Sequence, residues 1–132
     1  MQDRPTYDEL LSAVEHFLGD LVSSLDGSQS FHARVAANAV RLVRRELEHE
    51  DELLATEWSG LDTLLGAEQR PGDRAGLRSA LRNRNEALCD RIRSGEIDEG
   101  TPAKQTFAHV RTTVREKLRI SDPALLKRSE SA

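Results

Sequence analysis

Cysteine occurs once in the 132 residues, so no disulfide can form within the chain and nothing calls for an oxidising compartment. Aromatic residues make up only 4% and β-branched residues are sparse, which argues against sheets, whose faces are packed from those residue types. No apolar run approaches the length of a membrane span. The start, Met1-Gln2-Asp3-Arg4-Pro5, lacks the pattern of a signal peptide. These absences point to a soluble, cytoplasmic, helical protein with no membrane role. The length fits one domain over 1–132, with 123–132 as a frayed tail.

A large net charge is missing too: 19 basic against 23 acidic residues leave −4. The balance hides an uneven distribution. Residues 1–66 hold 5 basic and 13 acidic side chains (5 − 13 = −8), and residues 67–132 hold 14 and 10 (14 − 10 = +4). Arginine supplies 16 of the 19 cations, and arginine makes fixed, forked contacts to carboxylates and phosphates. Two readings follow: halves that attract each other within one fold, or surfaces that serve an anionic partner.

What is present is helical periodicity. Thr6 and Glu9 form a capping box, and Leu10, Val14, Phe17 and Leu21 then recur at helical spacing, predicting a helix over 7–23. Asp26-Gly27-Ser28 marks a turn. A second helix is expected over 31–49, ending at the acidic patch Glu48–Glu52, and a third carries Leu54, Trp58, Leu61 and Leu65 up to Gly66. Gln69-Arg70-Pro71-Gly72-Asp73 is the clearest loop. A fourth helix is predicted over 74–94 with Leu77, Leu81, Leu88 and Ile92 as its stripe and Gly95 as its stop. Thr101 as N-cap with Pro102 in the first turn opens a fifth, running to Ile120. An all-α, single-domain antiparallel bundle of about five helices is the natural assembly.

The second helix is the most informative. On a helical wheel Phe31, Val35, Ala36, Ala39, Val40, Leu42, Val43 and Leu47 cover about half its circumference, which marks a central helix packed by several neighbours. His32 and Glu46 fall inside this arc as candidate buried polar groups, unless they reach water or a cap. Arg34, Asn38, Arg41 and Arg45 line its edge, either as an anion- or partner-binding edge or as a solvated face paired to nearby acids. In the fifth helix Lys104, Arg111, Arg115 and Arg119 form a basic stripe beside a narrow apolar one, Phe107, Val110, Val114 and Leu118. That stripe can hold a partner or pair internally with the Glu48–Glu52 patch. Arg84 and Arg91 flank the leucine stripe of the fourth helix, and Asn85 beside them is a candidate for an interhelical hydrogen bond.

Catalytic patterns are scarce. No histidine stands in His-Glu-x-x-His spacing, and Cys89 has no partner cysteine for zinc; it reads as a small core residue. Glu46-x-x-His49 matches one unit of a carboxylate-bridged di-iron site, but a single chain lacks the second copy such sites need. No metal, cofactor or catalytic residue is expected. The long link before the fourth helix and the negative net charge argue against helix-turn-helix DNA binding and against nucleic acid as a partner.

Several segments carry a family resemblance. They are Pro5-Thr6-x-x-Glu9-Leu10-Leu11-x-Ala13-Val14, Phe31-His32-x-Arg34-Val35-Ala36-x-Asn38, Arg45-Glu46-Leu47, Ile92-Arg93-x-Gly95 and Val114-Arg115-x-Lys117-Leu118-x-Ile120-x-x-Pro123. With these the chain resembles, over nearly its whole length, a family of small bacterial all-α proteins of unknown function. The segment Phe31–Asn38 is the most specific. Asp122 stands where the family pattern has asparagine, and Arg84 where it has leucine. The resemblance implies a partner rather than a reaction. Family members look like companions of aminoglycoside-phosphotransferase-like kinases, encoded beside them and beside acyl-CoA dehydrogenases, and those kinases are thought to act on hydroxyacyl-CoA substrates. On that footing the expected role is a non-enzymatic accessory subunit. The alternatives are a stand-alone bundle binding acyl-CoA or another anionic ligand, and a structural homodimer. The resemblance draws attention to His32, Arg34, Asn38, Arg45, Glu46, Arg115 and Lys117.

Overall fold

The structure is a computed structural model that describes residues 4–130. The described residues form five helices and no strand: α1 (Tyr7–Ser24), α2 (Gly27–Leu65), α3 (Arg74–Arg93), α4 (Gly100–Ser121) and α5 (Pro123–Glu130). The all-α class follows the expected pattern, but the five helices are not the five predicted. The break expected at Glu48–Glu52 is absent, and one 39-residue helix replaces two. A run of acids between leucines carries no glycine or proline to end a helix. Glu50 and Asp51 are instead held by arginines of α3. The fifth helix is gained at α5, in the segment expected to fray. No helix among the described residues is long and apolar enough to cross a membrane.

By its contacts the chain divides into two compact units, one up to His49 and one from Glu50, with α2 contributing to each. In the first unit the predicted capping box opens α1: the Thr6 amide donates to Glu9 at 2.8 Å and the Glu9 amide to Thr6 Oγ1 at 3.3 Å. A short turn with Gly27 at φ 56° reverses the chain. The N-terminal part of α2 then runs antiparallel to α1. Ser30 Oγ donates to the Val22 carbonyl, while further along Arg41 meets Glu15 and Arg44 meets both Glu15 and Asp8. Only Ala33 and Ala37 are buried among its apolar side chains. The second helix is therefore not enclosed by neighbours as its apolar arc suggests.

The second unit has a true core of Trp58, Leu61, Leu77, Leu81, Leu88 and Ile97, with Leu61 fully enclosed at 0% exposure. Here one pair of helices departs from the antiparallel rule. Glu50 meets Arg74 and Arg78, Glu57 meets Asn85, and the Leu64 carbonyl meets Arg91, so α3 runs in the same direction as this part of α2. The eight residues 66–73 make this possible. Extended, they reach roughly 27 Å, enough to return along the last four turns of α2 before α3 begins. Gly66, at φ 98°, ends α2 in the left-handed conformation, and Asp73 caps α3 through the Gly76 amide at 2.8 Å. The returning segment borders an open groove of about 550 Å³ with Asp51, Leu54 and Leu77.

The chain of α4 runs antiparallel to α2 in this unit, with Lys117 on Glu57 and His109 on Gly60. A Cβ at Gly60 would collide with the His109 imidazole, so glycine here admits the ring. Thr101 is not the N-cap; α4 starts at Gly100, two residues earlier than that cap would give, with Glu99 in the cap position. Pro102 is tolerated because the amides of a first turn have no intrahelical partner.

Candidate binding surface

Phe31, Arg34, Val35, Asn38 and Arg45 are related by spacings of three, four and seven, so one side of α2 carries them all. Much of this side lies clear of α1. Phe31 is 60% exposed, Val35, Arg34 and Asn38 are exposed, and Arg45 is half-buried, donating from Nε to the Arg41 carbonyl at 3.4 Å. Where this side meets α1, Gly19, Val22, Arg34, Val35, Ala37, Asn38 and Arg41 line an open groove of about 560 Å³. No atom lies within 4 Å of the position a Gly19 side chain would take, so that wall is clear. The groove has an apolar lining with guanidinium and amide donors on its rim. Such a surface suits a carboxylate or phosphate joined to an apolar group.

The electrostatics of the groove come from its ends. Arg41 donates to Glu15 at 2.8 Å, and Arg44 donates to Glu15 at 2.7 Å and to Asp8 at 2.9 Å. Desolvation would raise the Glu15 carboxyl, but hydrogen bonds and charge from Arg41 and Arg44 outweigh it, so it titrates below the usual range. The same bonds, chiefly that to Glu15, raise the Arg44 guanidinium.

The other sequence candidates are placed as follows. His32 and Glu46, candidates either for burial or for reaching water, are exposed, because α1 covers a narrower sector of α2 than the apolar arc offers. His32 lies beside Phe31 with ring centroids 5.8 Å apart. Asn85 makes the expected interhelical bond, donating from Nδ2 to Glu57 at 2.7 Å. Lys104, Arg111, Arg115 and Arg119 are all exposed on α4, with Arg119 donating to Glu116 of its own helix at 2.7 Å. That bond raises the Arg119 guanidinium, and Glu52 adds a weaker attraction. The Glu48–Glu52 patch is chiefly engaged by α3 through Arg74 and Arg78. Cys89 is exposed rather than packed in the core. His49 lies 3.7 Å from Glu48, and among the described residues no three histidine, cysteine or acidic side chains converge as metal ligands would.

The apolar stripe of α4 is inverted. Phe107 is 70% exposed, and Val110 and Val114 are exposed too, while Thr106 is buried and His109 and Thr113 are half-buried. The cause lies on α2. The buried carboxylate of Glu57 takes Asn85 and, at 3.3 Å, Lys117. A buried carboxylate without donors is costly. α4 therefore turns its polar edge inward and its phenylalanine outward. Burial lowers the His109 pKa, with Glu57 opposing that shift and Lys117 adding to it.

The fully buried polar and charged groups among the described residues differ from His32 and Glu46. They are Glu50, Glu57, Arg84 and Thr106. Glu50 and Glu57 fall inside the stripe of Leu54, Trp58, Leu61 and Leu65 once that stripe is extended backward by one turn, so the signal was present. Arg84 ties α3 to α2: it donates to Asp62 at 2.7 Å and to the Gly66 carbonyl at 2.6 Å, and its guanidinium lies 4.5 Å from the Trp58 ring centre.

Architecture and surface thus define a small all-α protein whose reachable polar residues stand beside exposed apolar ones. The family described as a domain of unknown function (DUF6285) matches residues 23–125, and the chain belongs to that family. No curated protein and no solved structure matches the chain.

Proposed function

We propose that the protein is a non-enzymatic accessory subunit that docks on an aminoglycoside-phosphotransferase-like kinase acting on hydroxyacyl-CoA substrates. One observation carries the docking part: the outward side of α2 shows Phe31, Val35, Arg34 and Asn38 together, in the segment that most specifically carries the family resemblance. Exposed large apolar side chains beside an arginine have the composition of an interface centre, not of a solvated helix face. The kinase itself is inferred from the resemblance. In this reading the subunit stabilises the kinase or completes its acyl-CoA cleft, and phosphoryl chemistry stays with the kinase. The partner would be the kinase encoded nearby in a bacterial genome. Co-expression should give a complex that co-elutes, and kinase activity should rise when the protein is added. Phe31→Asp and Arg34→Glu should each weaken co-elution at least tenfold while helicity is unchanged. Co-elution unaffected by both variants, or activity indifferent to the protein, overturns the reading.

The groove at Gly19, Val22, Arg34, Asn38 and Arg41 favours a second reading, an anionic ligand with an apolar portion. Calorimetry with a CoA thioester and the isolated protein tests it; binding lost in Arg34→Ala supports it, and no heat removes it.

A further inference from the structure

The first unit buries little between its two helices, yet turns one continuous apolar face outward. On α1, Tyr7, Leu10, Val14 and Phe17 are exposed. On α2, Val43 and Leu47 are exposed, and Val40 and Ala36 are half-buried. Asp8 on Arg44, Glu15 on Arg41 and Ser30 on the Val22 carbonyl set the antiparallel register. That register puts Tyr7 level with Leu47, Leu10 with Val43, Val14 with Val40 and Phe17 with Ala36. Asp8 and Glu15 point to α2, and Ala33, Ala37 and Arg44 point to α1. Counted from those directions, helical positions put both apolar rows on the same side of the hairpin. Both rows advance by alternating steps of three and four residues, the spacing with which helices interlock along a seam.

We propose that this face meets the same face of a second copy, related by a twofold axis parallel to the helices, so that two hairpins form an antiparallel four-helix bundle. Each α1 then lies over the α2 of the other copy, in the register that the hairpin already has. The same surface serves on both sides, so the contact closes by itself and uses no residue beyond His49. Shape favours a second copy as the occupant. The four levels repeat between chains, and the ring with most exposure, Phe17 at 62%, falls on Ala36 and Ala39, the smallest side chains of the face. Leu11 and Leu18, half-buried beneath the rows, become enclosed. A bundle of four helices gives this unit the core that two helices alone lack.

The area suffices. The exposed apolar side chains of the face amount to on the order of 500 Å² per copy, or about 1,000 Å² in the pair. An interface core is about two-thirds apolar, so with its polar rim the contact reaches the standard size of about 1,600 Å². At the rims His32 of one copy comes near Asp20 of the other, and Glu46 near Glu9, which already holds Arg4. These groups are exposed and contribute little either way, so shape and not charge sets the pairing. The Phe31–Asn38 side of α2, on which the kinase reading rests, stays free in this dimer.

Sedimentation equilibrium on the full chain should give the mass of two chains. Phe17→Asp and Leu10→Asp should each raise the dissociation constant at least about a hundredfold with helicity retained, since both residues are exposed. Phe31→Asp should leave the dimer intact. Cross-linking reads the orientation. In a Cys89→Ser background, Leu10→Cys mixed with Val43→Cys should give a disulfide-linked pair, and neither variant alone should. A wild-type mass of one chain, a Phe17→Asp dimer of unchanged affinity, dissociation by Phe31→Asp, or no cross-link in the mixture would each overturn the proposal.

Discussion

The segments before and after His49 are both helical, yet they hold themselves together by different means. The second unit buries a tryptophan, an isoleucine and four leucines around an enclosed Leu61 and threads a buried arginine through them. The first buries two alanines and leaves Tyr7, Leu10, Val14, Phe17, Phe31 and Val35 in the open. Burying a large apolar side chain stabilises by about 1.5–3 kcal/mol, and an alanine contributes far less. The first unit therefore rests on half-buried side chains such as Leu11, Leu18, Val40 and Leu42, with ion pairs that are worth about 0–1 kcal/mol each when exposed. Its apolar residues are not short in number; they are turned outward. The contrast separates residues spent on folding from residues left available for recognition.

The largest expected effect breaks the second unit. Leu61→Ala should cost about 3–5 kcal/mol, read as a lower urea midpoint, because the side chain is fully enclosed and its cavity cannot collapse onto solvent. The matching change in the first unit, Val35→Ala, should cost under about 0.5 kcal/mol because Val35 already meets water. Equal costs would mean that Val35 is buried and not open to water.

Next in size is Arg84. Its guanidinium holds Asp62, the Gly66 carbonyl and the face of Trp58, while its Nε carries no hydrogen bond and Glu68 Oε1 stands 3.8 Å off. It pins the point where α2 ends and the return segment begins. Arg84→Ala should cost about 3–5 kcal/mol, since it leaves Asp62 and a carbonyl without their donor. Arg84→Lys should recover less than half, because one ammonium cannot reproduce the fork. Arg84→Leu tests whether the arginine is needed or merely accommodated, and should land between the other two.

Much of this second unit was legible. Asp73 before Arg74, Gly95 after Arg93 and the leucine stripe placed α3 to within a residue. The direction of α3 was not legible, because a loop's length permits a return path without requiring it. The outward turn of α4 was hidden for a related reason. Phe107, Val110 and Val114 read as a buried stripe on α4 alone, and only the carboxylate of Glu57 on another helix explains why the polar edge goes inward. In the first unit the capping box and α1 were legible, while the size of the uncovered arc was not: a wheel shows which side is apolar, not how much of it a neighbour covers.

Acid should divide the units more gently. His109 has a lowered pKa in the fold, so the unfolded chain binds its proton first. Its contribution is complete above the unfolded value, near 6.5, and is lost as pH falls below it. Glu15 has a lowered pKa as well, but as an acid its contribution holds above the usual carboxylate range and fades only as pH falls through that range. Lowering the pH from 7 to about 5.5 should therefore weaken the second unit and leave the first unchanged. Amide exchange resolved by residue reads both at once. His109→Gln should flatten the response around Thr106 and Gly60, and Glu15→Gln should leave that region alone.

The smallest effect is the one that bears on function. Arg34→Ala and Asn38→Ala should each change stability by less than about 0.5 kcal/mol in a urea melt, since both side chains are exposed and no core depends on them. Were Arg34 instead part of what holds α1 to α2, its removal would resemble that of Arg44, whose bonds to Glu15 and Asp8 join the two helices. Arg44→Ala is expected to lower the urea midpoint more than either of those changes, because it takes two partners at once. A wide gap between Arg44 and Arg34 would show that two arginines three turns apart on one helix serve different ends. One closes the hairpin, and the other is free to meet whatever binds its open side.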